Sequence, residues 1–229
     1  MREEKEKRRS SLRRRLFWLV VFVLSLLWCT AALAENTVEI RYNGIVDYDR
    51  ANQVVTLTNQ QRQAAGLSAL TQTEELQRLA AVRAMEIALY FDHTRPNGTR
   101  GLDIMGTGGT KAENLSVGEV TAADTVNGWM NSSGHKANIL NKDVTQIGVG
   151  CFYANGNWWW VQLFKSGTGG SGTVRTGSVN TEIHVDALPS LLDLYVVKNG
   201  SSFSKNAAIQ LTAGVSDIVL AVNYNNGNG

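Results

Sequence analysis

Two histidines and one glutamate are the residues of this chain whose types and spacing suggest chemistry. His93, Glu113 and His135 lie roughly twenty residues apart, each within a short polar motif, and the chain has only three histidines in all. A neutral imidazole can bind a metal ion or shuttle a proton near neutral pH. A carboxylate between two imidazoles can orient them, bind the same ion or act as a base. The pattern therefore predicts a shared cleft.

Each of these residues also has a structural interpretation. A histidine near a helix end can cap carbonyl groups or pack with its ring hydrogen-bonded. Glu113 could accept backbone N–H bonds and so fix the glycine-rich loop before it. Ser132 could be the N-cap of a short helix that carries His135, and as a nucleophile it lacks a recognisable elbow motif. The presence of two histidines in motifs favours the cleft for His93 and His135, and Glu113 could serve both roles.

The N-terminal residues have the composition of a targeting segment. Met1–Arg15 holds eight Lys/Arg and three Glu, Leu16–Trp28 is apolar, and Ala32-Leu33-Ala34 is a small-x-small site. This order predicts a signal peptide over residues 1–34, cleaved after Ala34, and a secreted, extracellular protein. The alternative is a signal anchor that stays in the membrane, because the apolar stretch through Ala34 is about nineteen residues long.

Removal of this segment changes the charge and the cysteine content. The totals of 22 Lys/Arg and 20 Asp/Glu fall to 14 and 17, a net charge of −3. The basic character therefore belongs to the signal, and nothing indicates nucleic-acid binding. Cys29 is lost as well, which leaves Cys151 without an intramolecular disulfide partner and predicts a small buried hydrophobe there. Without disulfides the predicted monomer needs a substantial hydrophobic core.

The first half of the mature chain is predicted to be mainly helical. Alternation at Val38, Ile40 and Tyr42 indicates a short strand. Helical signals follow: a helix from Ala51 or Asn52 to Gly66, a second helix with Thr71 as N-cap and Glu74 in a capping box, a loop over residues 98–112, a third helix capped by Thr121, and a short helix that restarts after Ser132-Ser133-Gly134.

The second half is predicted to be β structure. Alternation from Ile147 to Tyr153, the turn signal Asn155-Gly156 and the run Trp158–Phe164 predict a hairpin. Both faces of its second strand are apolar, so this strand should be buried between two layers. Helices followed by an antiparallel hairpin indicate an α+β fold.

The predicted division of the chain follows from these elements. It comprises a signal peptide (1–34), an N-terminal extension (35–50), a main domain (51–166), a Gly/Ser-rich flexible linker (167–181) and a β-rich segment (182–229) that could be part of an Ig-like module. The β-rich segment contains strand-like runs at Glu182–Val185, Leu191–Val197, Ile209–Leu211 and Ile218–Tyr224, and the third histidine, His184, which has no motif around it.

Taken in order, the motifs resemble the bacterial branch of the CAP superfamily (cysteine-rich secretory proteins, antigen 5 and pathogenesis-related proteins), also called the SCP-like extracellular domain. The resemblance covers about residues 51–165. It is carried by Leu57–Arg62, Gly66–Leu70, Ala80–Ala84, His93–Gly98, Ala112–Leu115, Trp129–Leu140, Ile147–Gly150 and Trp160–Phe164. It implies an α-β-α sandwich, in agreement with the periodicity, and an absence of disulfides is typical of the bacterial members.

The resemblance also implies a set of site residues. The family's central cavity commonly holds two histidines and two acidic residues, and His93, Glu113 and His135 match three of them. Ser132 stands where many eukaryotic members have the second glutamate. Two imidazoles and one carboxylate suffice for a three-ligand zinc site with an open position, so His93 and His135 are candidate ligands of a divalent cation. The missing carboxylate puts strong metal binding in doubt.

Three functions remain open at this point. The first is a secreted protein of the cell envelope or exterior whose cleft of His93, Glu113, Ser132 and His135 binds a divalent ion, a small molecule, a lipid or an envelope component. The second is a zinc-dependent hydrolase or peptidase with Glu113 as base, and Glu113, His135 and Ser132 are the catalytic candidates. The third is a structural or adhesive surface protein. The hydrolase would use its only carboxylate both as ligand and as base, which favours binding over catalysis.

Overall fold

The structure, a computed structural model, describes residues 37–170, 172–188, 191, 194–198, 201–202 and 218–222. The predicted signal peptide and the predicted strand at Ile209–Leu211 lie outside these ranges. Within the described ranges, no helix is both long enough and apolar enough to cross a membrane.

The main feature of the fold is a six-stranded sheet with helices on both faces. Its strands run in the order β3-β5-β4-β1-β6, and a short β2 pairs with β4 in parallel. The elements are β1 (Val38–Asp47), α1 (Tyr48–Ala64), β2 (Thr71–Gln72), α2 (Glu74–Leu89), a 3-10 helix (Gly101–Met105), β3 (Lys111–Val117), α3 (Ala122–Asn131), α4 (Ser133–Ile139), β4 (Gln146–Ala154), β5 (Asn157–Lys165) and β6 (Ser178–Ala187). Three further strands, β7 (Leu194–Lys198), β8 (Ser201–Ser202) and β9 (Ile218–Val222), form a separate antiparallel sheet in the order β8-β7-β9.

Two apolar clusters, one on each face of the sheet, make up the core. On one face, side chains of α2 pack with Trp159, Val161 and Leu163 of β5. On the other, side chains of α1, α3 and α4 pack with Trp160 and Phe164 of the same strand. Because successive side chains of a strand alternate between faces, β5 contributes to both clusters. This confirms the α+β, α-β-α sandwich and the prediction that β5 is buried between two layers.

Two strands of the sheet lie outside the predicted main domain, residues 51–166. β1 and β6 pair antiparallel over ten residues, from Val38↔Ala187 to Asp47↔Ser178. Ile183 and Val185 of β6 are buried in the same cluster as α2, with Tyr42 of β1 packed against it. The chain thus extends the sheet with residues that the sequence analysis assigns to an N-terminal extension and to a separate β-rich segment. Their alternation is visible in the sequence, but the pairing joins residues that lie about 140 positions apart and leaves no local signal.

The predicted flexible linker is bonded to the main domain along part of its length. The backbone N–H of Arg175 donates to the Gln77 side chain at 2.7 Å, and its carbonyl accepts from Asn52 at 2.9 Å. The N–H of Gly177 donates to the Asp49 carboxylate at 2.8 Å. These bonds fix the path into β6, which begins at Ser178 inside the predicted linker. A glycine-rich composition alone does not show that a segment is flexible.

Two helix starts differ from the predictions. α1 begins three or four residues earlier than expected, because Asp47 is its N-cap and accepts from the N–H of Arg50 at 2.9 Å. The cap of α2 is Thr73 rather than Thr71, and its hydroxyl accepts from the N–H of Leu76 at 3.2 Å. Thr71 cannot cap this helix because it pairs with β4 as part of β2. The predicted cap of α3 at Thr121 and the hairpin turn at Asn155-Gly156 are confirmed.

The predicted loop over residues 98–112 also contains regular structure. It includes the 3-10 helix Gly101–Met105, and β3 begins at Lys111. The run of glycines hid both elements, and β3 is the strand that carries Glu113.

Two glycines of β4 allow α2 to lie directly on the sheet. A Cβ atom added at Gly150 would lie 2.1 Å from the carbonyl oxygen of Ala80, and one added at Gly148 would lie 2.1 Å from the carbonyl carbon of Leu76. Real Cβ atoms do not approach backbone atoms so closely, and a helix backbone cannot move aside as a flexible side chain can. These two positions therefore set the distance between α2 and β4.

We expect Gly150→Ala to lower the free energy of unfolding by about 1–3 kcal/mol or more, because it overpacks this contact. Gly134→Ala in α4 is the matched control, since a Cβ atom there meets nothing within 4 Å. A Gly→Ala change inside a helix should leave stability unchanged or raise it. Urea denaturation of both variants checks the prediction, and equal stability of the two would contradict it.

Candidate functional site

A buried ion pair between α2 and β3 forms the floor of the candidate site. The Arg83 side chain is fully buried and that of Glu113 is 2% exposed. Nε of Arg83 donates to Oε2 of Glu113 at 2.8 Å, and Nη2 donates to Oε1 at 3.3 Å. Both carboxylate oxygens of Glu113 are therefore held by one guanidinium. Such a pair is stable only when its geometry is good and its remaining donors find partners.

The remaining donors of Arg83 are satisfied by nearby groups. Nη1 donates to Glu86 at 3.0 Å, and Nη2 donates to the carbonyl of Asp92 at 2.9 Å. Glu86 in turn accepts from Arg95, with its closest contact at 2.6 Å. Together with Glu113, these side chains form a chain of alternating charges that runs from Arg95 through Glu86 and Arg83.

His93 lies at the exposed end of this chain. Its Nδ1 is 2.8 Å from Oε1 of Glu113, while its side chain is 66% exposed. The loop that carries His93 is tied to the start of the 3-10 helix, since the N–H of Gly101 donates to the His93 carbonyl at 2.6 Å. A Cβ atom at Gly101 would lie 2.5 Å from Oε1 of Glu113, so glycine there leaves room for the carboxylate. A carboxylate that holds one imidazole nitrogen fixes the ring orientation and leaves Nε2 open to solvent.

A network of amide side chains holds the helix of His135 against the sheet. Nδ2 of Asn114 donates to the His135 carbonyl at 3.1 Å and to Gln162 at 3.0 Å. Nδ2 of Asn138 donates to Oδ1 of Asn114 at 2.8 Å, and Gln162 donates to Thr58 at 2.7 Å. Asn114 and Gln162 are fully buried, so the satisfied network fixes the position of α4 relative to β3 and β5.

The electrostatics of the site shift the pKa values of the two histidines in opposite directions. The hydrogen bond that His93 donates to the Glu113 carboxylate raises the pKa of His93 above its usual value of 6.5, although burial and Arg83 act against this. Burial lowers the pKa of His135, and the nearby charge of His93 lowers it further. Burial opposes ionisation of Glu113, but its hydrogen bonds from His93 and Arg83 outweigh this and lower its pKa. Near neutral pH, Glu113 is an anion, His93 is more often charged than a free histidine, and His135 is neutral.

The structure places the other candidates as follows. Ser132 is at the N-cap of α4, as predicted, but its side chain makes no capping hydrogen bond. Glu113 is held by side chains instead of by backbone N–H groups of the loop. Cys151 is fully buried, and burial raises the pKa of its thiol, which agrees with a small buried hydrophobe. His184 bonds Glu39 at 2.7 Å on the surface of β6 and is not among the groups held by the Arg83 chain.

The described residues do not fit the three-ligand zinc site considered from the sequence. No group of three or more His, Cys, Asp or Glu side chains in the described ranges is arranged to hold a metal ion. The reason at this site is that both oxygens of Glu113 already accept hydrogen bonds from Arg83, and one also accepts from His93. Two imidazoles are then the only candidate ligands among these three residues. The same bonds, with burial, hold the Glu113 carboxylate in place.

Three contributors to the site escaped the sequence analysis. Arg83 appears there only inside the segment Ala80–Ala84, with no role of its own. A charged residue at a core-facing position is itself a signal, because a buried guanidinium requires a buried anion. Glu86, one helical turn further along the sequence, is such an anion. Gly101 gave no signal, since its role depends on a carboxylate that β3 brings to it.

The fold is an α-β-α sandwich in which the loop after α2 and strand β3 bring His93 and Glu113 into direct contact. Among the described residues, His135 on α4 forms no hydrogen bond with either of these two side chains, although the charge of His93 acts on it. Residues 55–164 match the sequence model of CAP, described as the cysteine-rich secretory protein family. Arg83, His93, Glu113 and His135 all lie within this range. This match shows a CAP domain over residues 55–164 of the chain.

One curated relative is the uncharacterised protein YkwD from Bacillus subtilis (strain 168), with 36% identity over 135 residues, or 56% of this chain and 51% of that protein. The chain thus spans about half the length of this relative. Similar solved structures include an extracellular protein containing an SCP domain from Bacillus anthracis (TM-score 0.47, 25% identity, 52% of this chain and 40% of that chain). An outer surface protein from Borrelia burgdorferi has a TM-score of 0.47 and 22% identity, over 51% of this chain and 92% of that chain.

We expect Arg83→Met to lower the free energy of unfolding by about 3–5 kcal/mol, because it leaves the Glu113 carboxylate buried without its guanidinium. Adding Glu113→Gln should restore part of the loss, since a neutral amide needs no counter-charge. Urea denaturation at neutral pH measures both variants. A double variant no more stable than the single one would show that the loss comes from packing alone.

Proposed function

We propose that this chain is an extracellular bacterial protein whose CAP domain binds a ligand through His93 and His135. Glu113 is the buried anchor that orients His93, and Arg83 fixes the charge of that anchor. The ligand class that the charges favour is a molecule with an anionic or hydrogen-bond-accepting oxygen group. The observation that carries the proposal is the contact between Nδ1 of the exposed His93 and the fully bonded carboxylate of Glu113.

The charge of the site supports an anionic partner. The chain of Arg95, Glu86, Arg83 and Glu113 contains two positive and two negative side chains, so it is balanced before His93 is counted. A protonated His93 therefore adds a positive charge at the exposed end of this balanced set, where the carboxylate of the neighbouring Asp92 also acts on it. In the protonated ring, the N–H group at Nε2 can donate a charge-assisted hydrogen bond, which is about twice as strong as a neutral one.

His135 complements His93 because its pKa is shifted in the opposite direction. A neutral imidazole can either donate or accept a hydrogen bond, depending on its tautomer. A pair of one charged and one neutral imidazole can thus bind an oxygen anion or its protonated form. Groups whose pKa values are pushed apart in this way commonly divide the donor and acceptor roles at a site.

The extracellular location is supported by the predicted signal peptide and by the family, whose description names secretory proteins. A metal-dependent hydrolase is the alternative that the sequence left open. It is the weaker proposal because Glu113, its intended base, is buried and bonded through both oxygens. An experiment with an anion and with zinc separates the two functions.

We expect inorganic phosphate to shift the imidazole signals of His93 and His135 saturably in ¹⁵N NMR spectra of the chain. Affinity should fall as pH rises through the raised pKa of His93, by about tenfold per pH unit above it, because the deprotonated ring loses the positive charge. His93→Gln should abolish the shift at His135. His184→Gln is the matched control, since this histidine lies at the surface of β6, and it should leave phosphate binding intact.

Absence of any phosphate-dependent shift at either imidazole would contradict the proposal. Zinc titration of the same samples provides the second arm. Tight binding of one zinc ion that disappears in both His93→Gln and His135→Gln would replace the anion site by a metal site, and peptidase assays would then be warranted.

A further inference from the structure

The outer edge of β6 is free of any strand in the part of the chain that the structure describes. β6 is last in the order of the main sheet, and β1 covers its inner edge over ten residues in unbroken register. Beyond its end, the N–H of Leu188 donates to the carbonyl of Pro96 at 2.7 Å. An open strand edge presents a row of backbone donors and acceptors that another extended chain can satisfy.

A groove of about 360 Å³ runs along this edge. Its strand side consists of six consecutive residues, Thr181–Asp186, and its other wall consists of Val82, Met85 and Glu86 of α2 with Arg95 and Asn97 of the next loop. Successive side chains of a strand point to opposite faces. Six consecutive residues can line one groove only if that groove follows the backbone edge. A channel between an edge strand and a helix is the geometry in which peptides are bound by strand addition.

The side chains beside the groove differ on the two faces of β6. Glu182, His184 and Asp186 are exposed on one face. There, Glu39 of β1 is the register partner of Asp186 and also bonds His184. On the other face Ile183 and Val185 are buried, and Val82 and Met85 of α2 lie across the groove. An added strand would thus meet two carboxylates with an imidazole between them on one face and apolar side chains on the other.

We infer that this groove binds an extended peptide segment of a partner protein, in which basic and apolar residues alternate. The segment adds to β6 as the next strand of the sheet. Its basic side chains lie beside Glu182 and Asp186, and its apolar side chains pack against Val82 and Met85. Opposite charges in neighbouring strands are favourable, and main-chain hydrogen bonds supply affinity that does not depend on sequence.

Several of the features that natural proteins use to block an edge are missing from β6. Blocked edges are commonly short, bulged, or marked by proline or lysine. β6 has ten residues, no lysine and no proline, and it pairs with β1 without a bulge. Val179 near its start is 49% exposed. The acidic residues therefore select a basic partner instead of closing the edge.

The test uses residues 35–229, the predicted mature chain, and a fluorescent peptide of seven alternating lysines and valines. Binding is measured by fluorescence polarisation. Two further peptides carry methyl groups on backbone nitrogens. In the first, the three valines are methylated, and in the second, three of the lysines. In an added strand all valine N–H groups point one way and all lysine N–H groups the other. We expect one methylated peptide to bind at least about tenfold more weakly than the other.

The charge preference is tested with Glu182→Lys/Asp186→Lys, which should weaken binding about tenfold because it replaces two attractive pairs by repulsive ones. Glu75→Lys/Asp143→Lys is the matched control, with the same change in net charge at exposed positions away from the groove. Thermal denaturation establishes that both variants are folded.

Three results would overturn the inference. The first is no binding of the unmodified peptide. The second is equal affinity of the two methylated peptides, or of the two charge variants. The third is a dimer of the chain, in sedimentation experiments, that Glu182→Lys/Asp186→Lys dissociates, because the edge would then be covered by a second copy of the chain.

Discussion

The buried contact between Arg83 and Glu113 is the constraint on which the rest of the site depends. Removing two charges from water costs several kcal/mol per ion before their attraction is counted, so the surrounding elements must satisfy both. Glu86 and the Asp92 carbonyl take the other donors of Arg83, and His93 takes the remaining contact of Glu113. Gly101 leaves the space that the carboxylate fills. Replacement of a buried ion pair by well-packed nonpolar residues is often neutral for stability, so the role that we assign to this pair is to hold Glu113 and thereby orient His93.

The strands outside the CAP domain also support the loop of His93. Leu188, directly after β6, bonds the carbonyl of Pro96 and would meet a Cβ atom at Gly98 at 2.7 Å. Arg95 of the same loop pairs with Glu86 of α2. The loop is thus held by α2 on one side and by the residue that follows β6, the last strand of the sheet, on the other. Glu86 and Arg95 belong to the ion network and also line the groove beside β6, so the two proposed sites share side chains.

The sequence predicts the parts of the fold that local patterns encode. The alternation around Asn155-Gly156 predicts the hairpin, and the two apolar faces of β5 predict a strand buried between layers. The resemblance to the CAP superfamily identifies His93, Glu113 and His135 as candidate site residues. In the structure, His93 contacts Glu113 directly. Patterns that depend on distant partners could not be found in this way. The pairing of β1 with β6 joins residues about 140 positions apart. Thr71 pairs with β4 instead of capping α2, and Glu113 is held by a guanidinium from another element.

The pKa of His93, measured by NMR titration in the wild-type chain and in Glu113→Gln, tests the central claim most directly. The account predicts a wild-type pKa above the usual 6.5, because the Glu113 carboxylate stabilises the protonated ring. In the variant the carboxylate is gone while Arg83 remains, so the pKa should fall to the usual value or below it. The same pKa in both proteins would contradict the claim that the buried ion pair sets the charge of His93.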